Sequence, residues 1–148
     1  MIKVSAINDN NKKAFLKLIE SDFKNANIED IKNKINALDS SEQLLVCLNE
    51  QNQAIGFAKT TEKVSAILKL DYIYVTPALR RDKNGSVILV SVYNYAVNHL
   101  IAGIIGECNQ ENVVAINFFK ARGFIVTPLE DGSCSLTKSL LHMYKTSE

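Results

Sequence analysis

The sequence predicts one mixed α/β (α+β) domain whose front half is antiparallel. A length of 148 residues suits one domain with one hydrophobic core. Hydrophobic residues make up 47% and charged residues 22% of the chain, which is typical of an ordinary globular fold. The spacing of apolar residues switches along the chain between the helix period and the strand period. The resulting order of elements is β-α-α-β-β-β-α-β-α-β-β.

The front half is predicted to hold one strand, two helices and three further strands. Residues 2–6 favour a short strand, and the Asn- and Asp-rich segment after it can cap a helix. Apolar residues then recur twice at helical spacing, first at Phe15, Leu18, Ile19 and Phe23, then at Ile28, Ile31, Ile35 and Leu38. Strands are predicted at 44–48, 54–58 and 65–75. In the last of these, alternation predicts that Asp71 lies on one face and that Tyr72 shares the other with Leu68 and Leu70.

The back half is predicted to alternate helices and strands. A helix over 85–99 is apolar on nearly every side, so we expect it to be central and mostly buried. A strand at 101–106 and a helix over 112–122, ended by Gly123, follow. The last two strands, 124–129 and 133–137, are joined by a turn at Asp131 and Gly132.

Charge and cysteine usage exclude several classes of function. Lys and Arg total 17 against 16 for Asp and Glu, so no strong field is available to hold nucleic acid or an anionic membrane. The three cysteines, Cys47, Cys108 and Cys134, are scattered, which favours neither a disulfide framework nor a metal site. The first residues lack the apolar core of a signal peptide, and no apolar run approaches the roughly 20 residues that a bilayer requires. We therefore expect a cytoplasmic protein without a metal, a nucleic acid or a membrane partner.

The segment 75–86 is the most informative for function, because it joins a strand to the start of a helix. Such a turn directs several backbone N–H groups and the positive end of the helix dipole at one place, where an anion can bind. Arg80, Arg81 and Lys83 add positive charge, and Gly85 lets phosphate oxygens approach the backbone. A solvated basic loop that merely caps the helix is the alternative interpretation.

Two motifs support the phosphate interpretation. The pattern V-x-P-x-x-R-x-x-G-x-G/A is met by Val75, Pro77, Arg80 and Gly85, with Lys83 in place of its first glycine. The pattern N-x-x-A-x-x-(F/L)-Y-x-x-x-G-F is met by Asn112, Ala115, Phe118, Gly123 and Phe124, with Phe119 in place of its tyrosine. With these two motifs the chain resembles the GCN5-related N-acetyltransferases (GNAT), and the element order extends the resemblance over nearly its whole length.

The resemblance implies a fold and a cofactor site. Residues 1–148 would form a single GNAT domain, with a twisted mixed sheet of about seven strands, splayed after strand 4, and about four helices. The backbone of Ile73 and Val75 would pair with the pantetheine arm of acetyl-CoA. The pyrophosphate would lie against Arg80, Arg81, Lys83, Asn84, Gly85 and Ser86. The helix that begins near Asn112 and carries Phe119 would flank the thioester.

The resemblance also implies a reaction, in which a primary amine attacks acetyl-CoA directly in a ternary complex. Asp71 is the candidate base, against the alternative of a solvent-facing strand residue. Tyr72 could line the acceptor site or shuttle a proton, or could simply be packed. Cys108 is a candidate carrier of the acetyl group, with a structural thiol as the simpler interpretation. Lys120 and Arg122 are most simply the solvated face of the last helix.

Acceptor and assembly stay open at this stage. Asp22, Glu29 and Asp30 give a mild acidic bias that would suit a cationic amine, either a small molecule or a peptide. The chain could be a monomer or a homodimer. Because Phe119 and Lys83 depart from the motifs, the rival function is a CoA-binding module that has lost catalysis and acts as a sensor or interaction domain.

Overall fold

The computed structural model, which describes residues 2–81 and 83–144, contains the elements in the predicted order. The strands are β1 (Lys3–Ala6), β2 (Glu42–Leu48), β3 (Ala54–Lys63), β4 (Ile67–Val75), β5 (Gly103–Asn109), β6 (Ile125–Pro128) and β7 (Ser133–Ser139). The helices are α1 (Lys12–Asp22), α2 (Ile28–Asn36), α3 (Asn84–Asn98) and α4 (Val113–Ala121). Short 3-10 turns lie at Pro77–Leu79 and Leu141–Tyr144. None of the described helices is long and apolar enough to cross a membrane.

The described strands form one mixed sheet in the order β1-β2-β3-β4-β5-β7-β6. Every neighbouring pair is antiparallel except β4 and β5, which are parallel. The parallel pair is short, since only 67–69 of β4 register with 103–105 of β5. The predicted splay after the fourth strand is therefore confirmed, and the second half of β4 has an open edge.

Helices cover both faces of the sheet. On one face α1 packs Phe15, Leu18 and Ile19 against Leu44 and Val46 of β2. On the other face the buried residues of α3, which are Ile88, Leu89, Val92 and Ala96, pack against the alternate positions of the same strands. Burial on both faces explains why β2 is apolar without interruption over 44–48.

A β-bulge in β4 overturns the predicted alternation. Lys59 of β3 pairs with Tyr72 and the next residue, Thr60, pairs with Leu70, so Asp71 has no partner on β3. The extra residue reverses the sides on which later side chains lie. Tyr72 consequently packs on the face of the sheet that α1 covers, which we call the α1 face, and Leu70 lies on the opposite face. The prediction that Tyr72 shares a face with Leu70 is wrong because a bulge depends on the neighbouring strand.

Two other elements differ in detail from the prediction. Ser65 and Ala66 adopt left-handed backbone angles, with φ of 64° and 60°, so they form a turn and β4 begins at Ile67. Helix α3 is mostly buried or half-buried, as expected, but its apolar surface is not all covered, because the sheet packs against only one of its faces. Val87 and Val90, on its uncovered side, are 37% and 52% exposed.

Candidate functional site

A cleft of about 860 Å³ opens where β4 and β5 separate. Its walls are the end of β4, the loop after it, the first turn of α3 and one face of α4. Nine of the ten residues predicted to bind the cofactor line this cleft, namely Ile73, Val75, Arg80, Arg81, Lys83, Gly85, Ser86, Asn112 and Phe119. The structure thus brings together residues that are up to 46 positions apart in the sequence, from 73 to 119.

The open edge of β4 supplies backbone hydrogen-bonding groups to the cleft. The Thr76 N–H donates to the Ile55 carbonyl of β3 at 2.9 Å. Because backbone groups alternate sides along a strand, those of Ile73 and Val75 point away from β3 and into the cleft. An extended ligand with amide groups can pair with such an edge as an added strand does.

The loop after β4 is held by two side chains. Arg80 donates from Nε to the Val75 carbonyl at 2.8 Å, and its guanidinium lies 5.3 Å from the centre of the Tyr74 ring. Asn84 is buried and donates from Nδ2 to the Leu79 carbonyl at 2.9 Å. The side chain of Asn84, the one predicted residue outside the cleft wall, therefore closes the loop.

The first turn of α3, which lines the cleft, carries N–H groups without an intrahelical acceptor. The first intrahelical bond runs from the Val87 N–H to the Lys83 carbonyl at 3.1 Å, so the N–H groups of Asn84, Gly85 and Ser86 precede it. At Gly85 the missing side chain also serves packing. A Cβ there would lie 2.9 Å from Cε1 of Phe118 on α4.

Arg122 belongs to this site, and the prediction that it is part of a solvated helix face is wrong. Its Nε donates to Ser86 Oγ at 2.9 Å, and its Nη2 donates to the same oxygen. Its Nη1 donates to the Phe118 carbonyl at 2.8 Å, and the guanidinium lies 3.9 Å from the centre of the Phe118 ring. The only signal in the sequence is the position of Arg122 directly before the G-F end of the second motif.

The α4 side of the cleft is aromatic. Phe119 is buried, and its ring meets those of Phe118 and Phe124 edge-on with centroids 5.2 and 5.0 Å apart. Asn112 caps α4, because its Oδ1 accepts the Ala115 N–H at 3.1 Å. Phe119 brings no hydroxyl to this wall.

Asp71 lies beyond the cleft wall, on the α1 face of β4. Lys59 Nζ lies 3.0 Å from Asp71 Oδ2 and 2.9 Å from Glu42 Oε2, and Thr61 also donates to Asp71 Oδ2. Burial alone would lower the pKa of Lys59. Its hydrogen bonds to Glu42 and Asp71 outweigh burial and raise the pKa above the ordinary value. Within the described chain, Asp71 Oδ1 accepts no hydrogen bond.

An aromatic surface on the same face of β4 adjoins the cleft. Tyr72 is 52% exposed and stacks on Phe57 with ring centroids 5.8 Å apart. The Tyr74 hydroxyl donates to Asp22 Oδ2 at 2.8 Å. Burial alone would raise the pKa of Asp22, but hydrogen bonds from Thr76 and Tyr74 outweigh it and hold the pKa below its usual range. Asp22 is therefore an ionised carboxylate at neutral pH.

Cys108 lies outside the cleft wall. It is directly opposite Cys134 in the β5–β7 pair, and burial, reinforced by Cys134, raises the pKa of its thiol. A raised pKa leaves little thiolate at neutral pH, which makes Cys108 a poor nucleophile. Among residues 2–81 and 83–144, no three His, Cys, Asp or Glu side chains are grouped so that they could hold a metal ion.

The chain matches the family model described as the acetyltransferase (GNAT) domain over residues 6–145. No curated protein matches it. This match covers the whole sheet from the end of β1 onward and every described helix.

Solved structures match the fold at low sequence identity. The ribosomal-protein-S18-alanine N-acetyltransferase from Escherichia coli is 16% identical with a TM-score of 0.74, over 100% of this chain and 97% of that one. A GNAT-family acetyltransferase from Staphylococcus aureus is 19% identical with a TM-score of 0.73, over 95% and 99%. The PaiA N-acetyltransferase from Thermoplasma acidophilum, solved with coenzyme A, is 14% identical with a TM-score of 0.72, over 94% and 99%.

Proposed function

The chain belongs to the GNAT family of acetyl-CoA-dependent acetyltransferases, and we propose that it moves the acetyl group to a primary amine by direct attack in a ternary complex. One observation carries the proposal. The open edge of β4 leads through a basic loop, with Arg80, Arg81 and Lys83, to the start of α3 within one cleft.

The chemistry of the cleft matches the two ends of CoA. The pantetheine arm contains amide groups, and the open edge offers the N–H and C=O groups of Ile73 and the N–H group of Val75, whose carbonyl already accepts Arg80 Nε. The pyrophosphate is anionic, and the start of α3 offers N–H groups without a helical acceptor, beside Arg80, Arg81 and Lys83 of the preceding loop. When bound, the cofactor supplies an acetyl thioester, a carbonyl activated toward amines.

Acetyl transfer requires a neutral amine. Its nitrogen attacks the thioester carbonyl, the C–S bond breaks, a proton leaves the amine for a base, and the thiolate departs. A backbone N–H on the open edge of β4 can stabilise the developing oxyanion. A thiol has an ordinary pKa of about 8.5, so its thiolate departs near neutral pH without an essential acid. The missing hydroxyl at Phe119 is therefore compatible with catalysis.

Asp71 is the base in this proposal, and Tyr72 lines the acceptor approach. The side chains of Lys59 and Thr61 both donate to Asp71 Oδ2, so Oδ1 can accept the proton of the amine. Asp71→Asn should lower turnover about 100-fold, the usual scale for an acid or base, with the Kd for CoA unchanged. Glu42→Gln is the matched control, because it also leaves Lys59 with one carboxylate. If both variants lose turnover equally, Asp71 acts by pairing Lys59 and is not the base.

The acceptor surface is the α1 face of β4, where Tyr72 and Tyr74 adjoin Asp22 and Asp71. The exposed ring of Tyr72 and the carboxylates of this surface suit a cationic amine. An amine on either a small molecule or a peptide fits this proposal, as does either a monomer or a homodimer. The cytoplasmic location stays a prediction.

Binding and turnover test the proposal separately. CoA at 100 times its Kd should add about 2.7 kcal/mol of stability, and thus raise the melting temperature by roughly 5 to 10 °C. Acetyl-CoA with a panel of primary amines should then release free thiol. CoA binding without turnover on any amine would favour the rival module that has lost catalysis. No thermal shift with millimolar CoA would refute both functions.

A further inference from the structure

We infer that Arg122, paired with Ser86, binds a phosphate group of the cofactor. This inference rests on the proposed function, because it concerns the same cleft. Arg122 lies outside the basic loop in the sequence and reaches the start of α3 from the opposite wall, at the end of α4. The site therefore has cations on two sides.

The guanidinium of Arg122 is fixed in place with donors to spare. One of its five N–H groups goes to the Phe118 carbonyl, and two go to Ser86 Oγ. The ring of Phe118 supports its flat face at 3.9 Å. Among the described residues, one N–H on each terminal nitrogen has no acceptor. The forked shape of guanidinium suits phosphate oxygens. A held guanidinium also loses little side-chain entropy when an anion binds.

Ser86 is turned into a donor by the same contact. A serine oxygen has two lone pairs, and Arg122 occupies both with Nε and Nη2. The Ser86 hydroxyl can then only donate its own hydrogen to a further acceptor. Together with the N–H groups that precede the first helical bond of α3, this hydroxyl gives a group of donors, an arrangement that is complementary to phosphate.

Among residues 2–81 and 83–144, no carboxylate pairs with Arg122. A half-buried cation in a cleft wall, held by a hydroxyl and a carbonyl, can attract an anionic ligand into that cleft. The pyrophosphate and the 3′-phosphate of CoA have this same chemistry.

Calorimetric titration of CoA into four variants tests the inference. Arg122→Gln should raise the Kd for CoA about 10- to 100-fold, the scale for a lost charged hydrogen-bonding group. Arg122→Lys keeps the charge but not the fork, so its loss should be smaller. Ser86→Ala should also weaken CoA, and the double variant Arg122→Gln with Ser86→Ala should be weakened less than the product of the two single effects, because the side chains act as one unit.

Lys120→Gln is the matched control, since it removes one exposed positive charge from the same helix turn. It should change the Kd for CoA less than 2-fold.

S-acetylpantetheine, which carries no phosphate, should have the same KM with Arg122→Gln as with the wild type. Dephospho-CoA identifies the phosphate. Equal weakening of CoA and dephospho-CoA points to the pyrophosphate, and weakening of CoA alone points to the 3′-phosphate.

Three results would overturn the inference. Arg122→Gln with an unchanged Kd for CoA refutes it and leaves the proposed function intact. A matching loss for S-acetylpantetheine shows that Arg122 acts through the packing of Phe118 and not through phosphate. A wild-type chain that does not bind CoA refutes the inference and the proposed function together. Thermal unfolding of each variant establishes that the protein titrated is folded.

Discussion

Replacing Lys83 with Gly should make the protein more stable while weakening its hold on CoA. Lys83 precedes α3 with φ of 65° and ψ of 10°, in the left-handed region. A side chain costs about 1–2 kcal/mol there. Glycine avoids this cost but loses more backbone entropy on folding, by roughly 0.5–1 kcal/mol. The net gain is about 1 kcal/mol, or roughly 2 to 4 °C in melting temperature.

Lys83→Ala is the matched variant, because alanine removes the charge and keeps the Cβ. Urea unfolding should show Lys83→Gly to be about 1 kcal/mol more stable than Lys83→Ala. Both should raise the Kd for CoA by a similar factor of roughly 2 to 5, the effect of one exposed charge. Equal stability of the two variants would refute the strain argument. An unchanged Kd in both would show that the backbone, not the Lys83 ammonium, holds the phosphate.

Three further outcomes follow from contacts of the site. Gly85→Ala should lower the free energy of unfolding by about 1–3 kcal/mol, because its Cβ would lie 2.9 Å from Cε1 of Phe118. Urea unfolding should show part of this loss restored by adding Phe118→Leu, and no restoration would contradict the packing explanation. The pKa of Asp22 is lower in the folded protein than in the unfolded chain, so the ionised side chain stabilises the fold. This stabilisation is complete above the ordinary carboxyl pKa of about 3.9 and is lost as the pH falls through the folded pKa. Asp22→Asn should therefore show a flatter decline of melting temperature below about pH 4, and parallel curves for variant and wild type would argue against it. Phe119→Tyr should raise turnover at most about 10-fold in steady-state assays, since the thiolate departs unaided; an inert wild type that this change activates would show the hydroxyl to be essential.

Much of the cofactor cleft was predictable because its residues are close along the chain. The loop from β4 to α3 is a continuous segment, so the motif at Val75, Pro77, Arg80 and Gly85 is sufficient to indicate where backbone N–H groups and cations meet. The element order was also predictable, because apolar periodicity reports which residues are buried within each element. The roles assigned to these residues stay predictions.

The α4 wall of the cleft, and the face of β4 that α1 covers, could not be predicted from the sequence. Whether Arg122 meets Ser86 depends on how α4 packs against α3, and its position in the sequence is compatible with solvent exposure. The side on which Tyr72 lies depends on the bulge at Asp71, which exists only in relation to the register of β3. Periodicity and motifs therefore determine the elements and the local phosphate loop. Contacts between distant elements, whose energies depend on how whole surfaces pack, are decided only by the tertiary structure.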